Sequence, residues 1–534
     1  VLHFPVFEKS VIFLSIHFPF KQKNGGYQKE MEETKKGGFF GHPSGLATLF
    51  FTEMWERFSY YGIRPLLVLF MTAALMDGGF GFEREQASAI VGIYAACVYL
   101  ASLPGGWIAD RMLGLQRSIL YGAICISAGH ISIGLSAFEG GKVTFFLGLV
   151  LIVLGTGLLK PNISAIVGDL YPEGGSMRDA GFSIFYMGIN LGAFSGQIIT
   201  GFLGEKYGWH FGFGAAGIGM LLGLAVFVLT RKKTLGSIGA EPSKHPDPKV
   251  QARIEWWIKS STVVGLLLLA VVFVLGATGA IVIDAKAIAQ YMVYLLVGTA
   301  LIFFLYLFTL GDLNSDEKKR TLVILVLFIA AAVFWSAFEQ APTSLNLFAK
   351  DFTDRNVMGF EVPATWFQSV NPLLIILLAP VFAALWTWLG KRNMDLSSPA
   401  KFALGLFFAA IGFLVMIFAS WEVLRSNGAV KVSIFWLTFS YVFQTIGELC
   451  LSPVGLSSMT KLSPRRYVGQ MMGVWFLAAS VGNLMGGLVG GHVDPEKLDQ
   501  MPVLFTYTTL ALAVSGFILL LLVIPIRRMM RDVE

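Results

Sequence analysis

Glu53-Met54-Trp55-Glu56-Arg57-Phe58-Ser59-Tyr60-Tyr61-Gly62-Ile63-Arg64 lies inside an apolar run covering about residues 44–74. The run is longer than the ~20 residues a helix needs to cross the hydrocarbon core of a bilayer. As a helix, it puts Glu53, Glu56 and Arg57 at i, i+3 and i+4 on one face, and Arg64 returns to that face seven residues after Arg57. Such charges are tolerated at membrane depth only where they face a polar interior. The rest of the chain decides whether there is one.

The composition requires lipid. Of the 534 residues, 55% are apolar and only 14% charged, and the mean hydropathy is +0.68. A soluble domain carries about 25% charged residues, so this chain cannot cover its surface with polar groups. Disorder, fibrous repeats and a disulfide scaffold are excluded by the same numbers. Cys97, Cys125 and Cys450 sit in apolar stretches and read as small core or lipid-facing residues. The net charge of +6 would suggest nucleic acid in a soluble protein. Here the basic residues gather in short loops, and no nucleic-acid motif occurs.

Further apolar runs predict helices near 44–74, 86–109, 115–137, 143–167, 178–203, 209–230, 255–279, 287–311, 320–349, 364–389, 397–420, 432–461, 466–491 and 500–527. These are fourteen spans of an all-α membrane protein. Arg111 and Arg117, Arg231-Lys232-Lys233, Lys318-Lys319-Arg320, Lys391-Arg392, Arg465-Arg466 and Arg527-Arg528 with Arg531 then share one side. The alternate loops are acidic, as in Asp77, Glu83 and Glu85 or Asp494, Glu496 and Asp499. By the positive-inside rule the basic side and both termini are cytoplasmic, at the inner membrane of a cell. Residues 1–43 read as a tail. Val11–Phe20 is only ten residues long, too short to cross, and the natural start is expected at or near Met31. A basic linker, 231–254, carries Pro242, Pro246 and Pro248. It divides a six-helix bundle (44–230) from an inserted helical pair (255–319) and a second bundle with its tail (320–534). Transporters built from two related bundles bind substrate at the midplane between them.

Three more charges fall within spans: Lys160 before Pro161, Glu339 before Gln340, and Glu448 after Gly447. One central charge costs about 2.5–3.5 kcal/mol, so seven facing lipid would cost on the order of 15–25 kcal/mol. They are therefore expected to face one wet cavity and largely to pair. Static ion pairs holding helices together are the plainer reading, although polar partners would do that at lower cost. Arg57 and Lys160 could hold a carboxylate, by planar fork and by point charge. Glu448 could hold an ammonium group, so the cavity suits a zwitterion. Carboxyl groups withdrawn from water can exchange protons near neutral pH, which supplies a coupling ion with no metal or other cofactor.

At these residues the chain resembles the proton-dependent oligopeptide transporter family of the major facilitator superfamily, from about residue 44 onward. The extra helical pair resembles that of bacterial members. E-x-x-E-R-F-x-Y-Y-G stands complete at Glu53–Gly62, and F-Y-x-x-I-N-x-G at Phe185–Gly192. The superfamily loop G-x-x-x-D-R-x-x-G stands at Gly106–Gly114. The resemblance implies a major facilitator fold and proton-driven symport of di- and tripeptides. Arg57 and Lys160 correspond to its carboxylate-binding pair, and Glu448, Asn190 and Asn371 to its amino-terminus binders. Tyr60, Tyr61 and Tyr99 correspond to its backbone-contacting lining, and Trp475 to a side-chain pocket wall. Glu53, Glu56 and Glu339 correspond to proton-coupling carboxylates. Arg64 with Glu339, and Lys160 with Glu448, correspond to outer-gate salt bridges. The chain departs from animal members, which carry a histidine in the second span. None occurs here between His42 and His130, so coupling would rest on carboxylates. His130 itself reads as a packed polar residue.

Other readings are a facilitator for nitrate or a drug-like solute, which leaves Glu448 without a task, and a non-transporting nutrient sensor. An enzyme is not expected, because there is no H-E-x-x-H, no G-x-S-x-G paired with a buried histidine, and no nucleotide loop. A single chain completes the expected site, so a monomer is the default.

Overall fold

The computed structural model describes residues 38–530, apart from 139, 140, 174, 245, 393 and 395. The expectations for Val11–Phe20, Met31 and Arg531 lie outside the described residues. The chain forms α1 (Ser44–Thr72), α2 (Arg84–Ile108), α3 (Leu115–Gly134), α4 (Gly141–Asp169), α5 (Gly175–Tyr207), α6 (Trp209–Thr234), α7 (Pro248–Ala277) and α8 (Ala285–Thr309). Then come α9 (Ser315–Phe338) with its short continuation α10 (Asn346–Phe352), α11 (Val370–Lys391), α12 (Ser398–Arg425), α13 (Ile434–Leu462), α14 (Val468–Gly490) and α15 (Gln500–Met529). Counting α9 and α10 as one broken span gives fourteen. Thirteen of them are long and apolar enough to cross a membrane among the described residues. The remaining one, α1, carries the four charges quoted at the outset. The protein is multi-pass and nearly all helical.

Helix ends follow local chemistry. Asn314 and Glu317 form a capping box, so α9 begins at Ser315. Lys318 and Lys319 are therefore helical, ahead of the start near 320 that the apolar run predicts. Asp247 caps α7 with Pro248 in the first turn. The membrane pair thus starts at residue 248 instead of 255. Arg231, Lys232 and Lys233 occupy the last turn of α6, where cations offset the helix dipole.

Lipid supplies no hydrophobic drive between helices, so close packing must hold them. Gly188, Gly192 and Gly196, spaced every four residues, form a stripe on α5 against Phe50, Met54 and Phe58 of α1. A Cβ at Gly192 would lie 2.1 Å from the Met54 carbonyl oxygen, and one at Gly196 2.4 Å from that of Phe58. In the first bundle, α1 also packs on α6, α3 on α4 and α6, and α2 on α4. In the second, α12 packs on α13 and α15, and α9 on α14 and α15. The bundles meet along α2 with α14 and α5 with α11. The pair α7–α8 lies outside them, with Leu267, Leu268, Val271 and Leu295 exposed as lipid-facing side chains. Ala285, Ala289 and Leu296 of α8 rest on Ala89 and Ala96 of α2 and on Val481 and Leu484 of α14.

Candidate functional site

Three features place the charged side chains. Pro161 follows Lys160 inside α4 and cannot donate to the preceding turn. Gly157 of α4 lies against α2, where a Cβ would come within 2.6 Å of the Ala101 carbonyl oxygen. The α1–α5 glycine stripe sets Arg57 beside Gly192, whose Cβ would lie 3.1 Å from that of Arg57.

Arg57 is held by its own helix. Its Nε lies 2.8 Å from Glu53 Oε1 and 2.6 Å from Glu56 Oε2, and all three side chains are buried. Its Nη2 has no hydrogen-bond partner among the described residues, and a buried donor of that kind is a rarity that asks for a ligand or water. The guanidinium carbon stands 5.5 Å from the centre of the Tyr60 ring. Lys160 Nζ lies 4.1 Å above the Tyr99 ring, a cation–π contact. It feels the charges of Arg57, Glu56, Glu53 and Glu339.

On the other bundle, Glu448 accepts a hydrogen bond of 2.8 Å from Asn371 Nδ2, which also donates to Thr445 Oγ1 at 3.1 Å. Asn190 donates to the Tyr186 carbonyl oxygen at 3.0 Å. The Tyr186 phenol lies in the field of Glu448. Lys160, Tyr61, Tyr99, Asn371 and Glu448 are all half-buried in mid-span, and Tyr186 is 44% exposed. Tyr61 lies between the two sets, in the fields of Arg57, Arg64, Glu339 and Glu448.

Several expectations need correction. Lys160 and Glu448 form no ion pair in this conformer: Lys160 rests on Tyr99 and Glu448 on Asn371. The seven charges do not share one wet surface, because Glu53, Glu56 and Arg57 are at most 2% exposed and pair within α1. Tyr60 is buried beside Tyr94 and Tyr61 instead of lining the interior. Trp475 is buried against Phe402 and Gly455. His130, by contrast, is buried as a packed polar residue, and neither ring nitrogen has a hydrogen-bond partner among the described residues.

The Arg64–Glu339 salt bridge is present and spans the bundles, and Arg64 also donates to Asn483 Oδ1 at 2.9 Å. Further contacts close the acidic-loop face. Asn346 donates to the Pro65 carbonyl oxygen at 2.7 Å, and Arg84 meets Asp351 at 2.6 Å. Lys206 meets Glu361 at 2.8 Å. The bundles are thus latched on that face.

Residues missed from sequence had signals. Tyr186 is the second residue of the F-Y-x-x-I-N-x-G motif, one turn before Asn190. Thr445 precedes Glu448 by three residues on one helix face. Asn483 is a polar residue within the apolar run of α14.

The POT family profile matches residues 116–501. The chain belongs to the POT family. It is 50% identical over 500 residues to the peptide transporter YePEPT of Yersinia enterocolitica subsp. palearctica serotype O:3, covering 93% of this chain and 97% of that one. It is 36% identical to a di-/tripeptide transporter of Lactococcus lactis subsp. cremoris, covering 95% and 100% of the two chains. The crystal structure of a peptide transporter POT in complex with sulfate superposes with a TM-score of 0.85 at 41% identity, covering 94% and 99%. As a POT-family member, this chain is a major facilitator-type transporter and not an enzyme.

Proposed function

We propose that this chain is a proton-coupled symporter that imports di- and tripeptides by alternating access, working as a monomer. One observation carries the reading. Lys160 on the first bundle has no carboxylate within ion-pair distance, and Glu448 on the second has no cation, among the described residues. Both are half-buried at mid-span. A cation and an anion left unpaired at that depth are costly, and a peptide's two ends would satisfy both. Relatives named as peptide and di-/tripeptide transporters support the same class of substrate.

In this mechanism the peptide carboxylate takes Lys160 and the free Nη2 of Arg57. Its ammonium takes Glu448, with Asn371 holding that carboxylate in place. Recognition rests on the termini and backbone, so side chains are tolerated and longer peptides cannot reach both poles. The basic loops and both termini lie in the cytoplasm by the positive-inside rule, at the inner membrane. The latched acidic-loop face is then the outer one, and this conformer precedes release inward. Protons are the coupling ion, with no other cofactor. Protonation of Glu339 frees Arg64 and unlatches the outer face. Proton exchange at Glu53 and Glu56 governs how tightly Arg57 is held by its own helix.

The test is uptake of dialanine into proteoliposomes under an inward proton gradient. Lys160→Ala and Glu448→Gln each lose a charge-assisted contact and reduce uptake about tenfold or more. Undiminished transport by either variant refutes the assignment. Tetra-alanine competes poorly, and competition by nitrate but not by peptide turns the reading to an anion facilitator. Peptide binding without flux turns it to a sensor.

A further inference from the structure

A further contact across the latched face involves a carboxylate outside the seven intramembrane charges. Glu205 lies near the end of α5, in the first bundle, and its side chain is only 10% exposed. It reaches the tight turn Ala364–Ser369 that leads into α11 of the second bundle. One carboxylate oxygen accepts from the Ala364 amide at 2.9 Å. The other accepts from the Thr365 amide at 2.9 Å and the Thr365 hydroxyl at 2.8 Å. Arg355 Nη1 stands 3.5 Å from the first oxygen.

These amides open a helix, where N–H groups have no partner within it. Pro363, at the capping position, supplies no side-chain hydrogen bond. An acceptor there is ordinarily a neighbour in sequence. Here it is a carboxylate from the opposite bundle, 159 residues away in the chain, and its negative charge suits the positive end of the helix. The fit around it is close. A Cβ at Gly201, one turn before Glu205, would lie 2.0 Å from Thr365 Oγ1. Trp366 Nε1 donates to the Ile198 carbonyl oxygen at 2.9 Å. A cleft of about 440 Å³, lined in part by Glu205, Arg84, Trp209 and Lys350, adjoins the contact.

We propose that Glu205 is a positioning residue of the transport cycle: it caps the entry of α11 in trans and holds the outer face shut. The proposal rests on the alternating-access reading above. All three hydrogen bonds join separate bundles, so they break together when that face opens. Glu205 therefore favours the closed state without touching substrate.

The test places spin labels at Met76→Cys and Met358→Cys, which are fully exposed on the outer loops of the two bundles. Cys97, Cys125 and Cys450 are replaced by alanine in this background. The distance distribution is read by pulsed electron resonance. Glu205→Gln loses the charge and turns an amide donor towards backbone donors, so the long-distance population rises about tenfold. Thr365→Ala removes one of three donors, and a rise of about threefold is expected. The double variant is no more open than Glu205→Gln alone, because the hydroxyl has lost its charged acceptor. An unchanged distribution in folded Glu205→Gln, or fully additive effects, overturns the proposal. If Glu205→Gln does not fold, Thr365→Ala decides: a rise supports the cap and no rise overturns it. The distances need no peptide, so failure of wild-type dialanine uptake overturns the transport reading alone.

Discussion

Replacing Glu339 by glutamine tests the cross-bundle ion pair most directly. In this conformer Arg64 and Glu339 form a salt bridge with side chains 10% and 4% exposed. Breaking one member of a buried pair costs about 3–5 kcal/mol, because the other charge stays buried. Glutamine keeps an acceptor for Arg64, and Asn483 retains its own bond to it, so the lower figure applies. A loss of about 3 kcal/mol from the closed-outside state alone shifts the balance towards the open state roughly a hundredfold. The neutral side chain also stands in for a protonated Glu339, so the outer latch no longer responds to protons. The assay compares two uptake modes in proteoliposomes. Under an inward proton gradient, dialanine accumulation by Glu339→Gln falls at least tenfold. Binding of dialanine from the outer side changes much less, because Lys160 and Glu448 are untouched. Proton-driven accumulation at the wild-type level would refute the assignment of Glu339 to both latch and coupling.

Other outcomes follow from the same geometry. Tyr186→Phe removes a phenol that is 44% exposed in the field of Glu448. It should raise the KM for dialanine about three- to tenfold with kcat retained, the worth of one hydrogen bond, as measured in initial-rate uptake. Gly192→Leu forces a side chain into the Met54 carbonyl oxygen, and such overpacking costs about 3 kcal/mol or more. A sharply lower unfolding temperature in detergent is expected, with little folded protein recovered. Glu361 is a contrasting case. The hydrogen bond from Lys206, and then the charge of Arg355, hold its carboxyl below the usual range. A lowered carboxyl contributes above its ordinary titration range and is lost only as pH falls through the lowered value. The Lys206–Glu361 pair is therefore intact near neutral pH. The Glu361 side chain is 55% exposed, so its link is screened. Glu361→Gln should leave uptake within about twofold, with an unchanged pH profile near neutrality.

The fourteen helices could be read from the chain because membrane spans announce themselves by length, and because loop charges alternate from face to face. The intramembrane charges could be read for the same physical reason: nothing else explains Lys160 or Glu448 in apolar runs. The start of α9 was misplaced because a run of apolar residues marks the membrane, whereas the Asn314–Glu317 capping box marks the helix. Partners were harder to read than positions. A helical repeat shows which face Lys160 occupies, but its nearest neighbour depends on how far apart the bundles stand. In this conformer it is the Tyr99 ring. Tyr60 and Trp475 were expected on the lining because their types suit it, yet each is buried against an aromatic on its own bundle. Glu205 carried no signal at all, since its acceptor role appears only when two segments far apart in sequence are brought together.

The small side chains through which α8 rests on both α2 and α14 bear on how an additional helical pair is accommodated. When two rigid bodies rock, displacement is least at the fulcrum and grows with the length of the lever arm. If the α2–α14 seam is that fulcrum, α8, riding on one helix from each body, sits where the stroke is shortest. A passenger attached there would be carried with the least displacement.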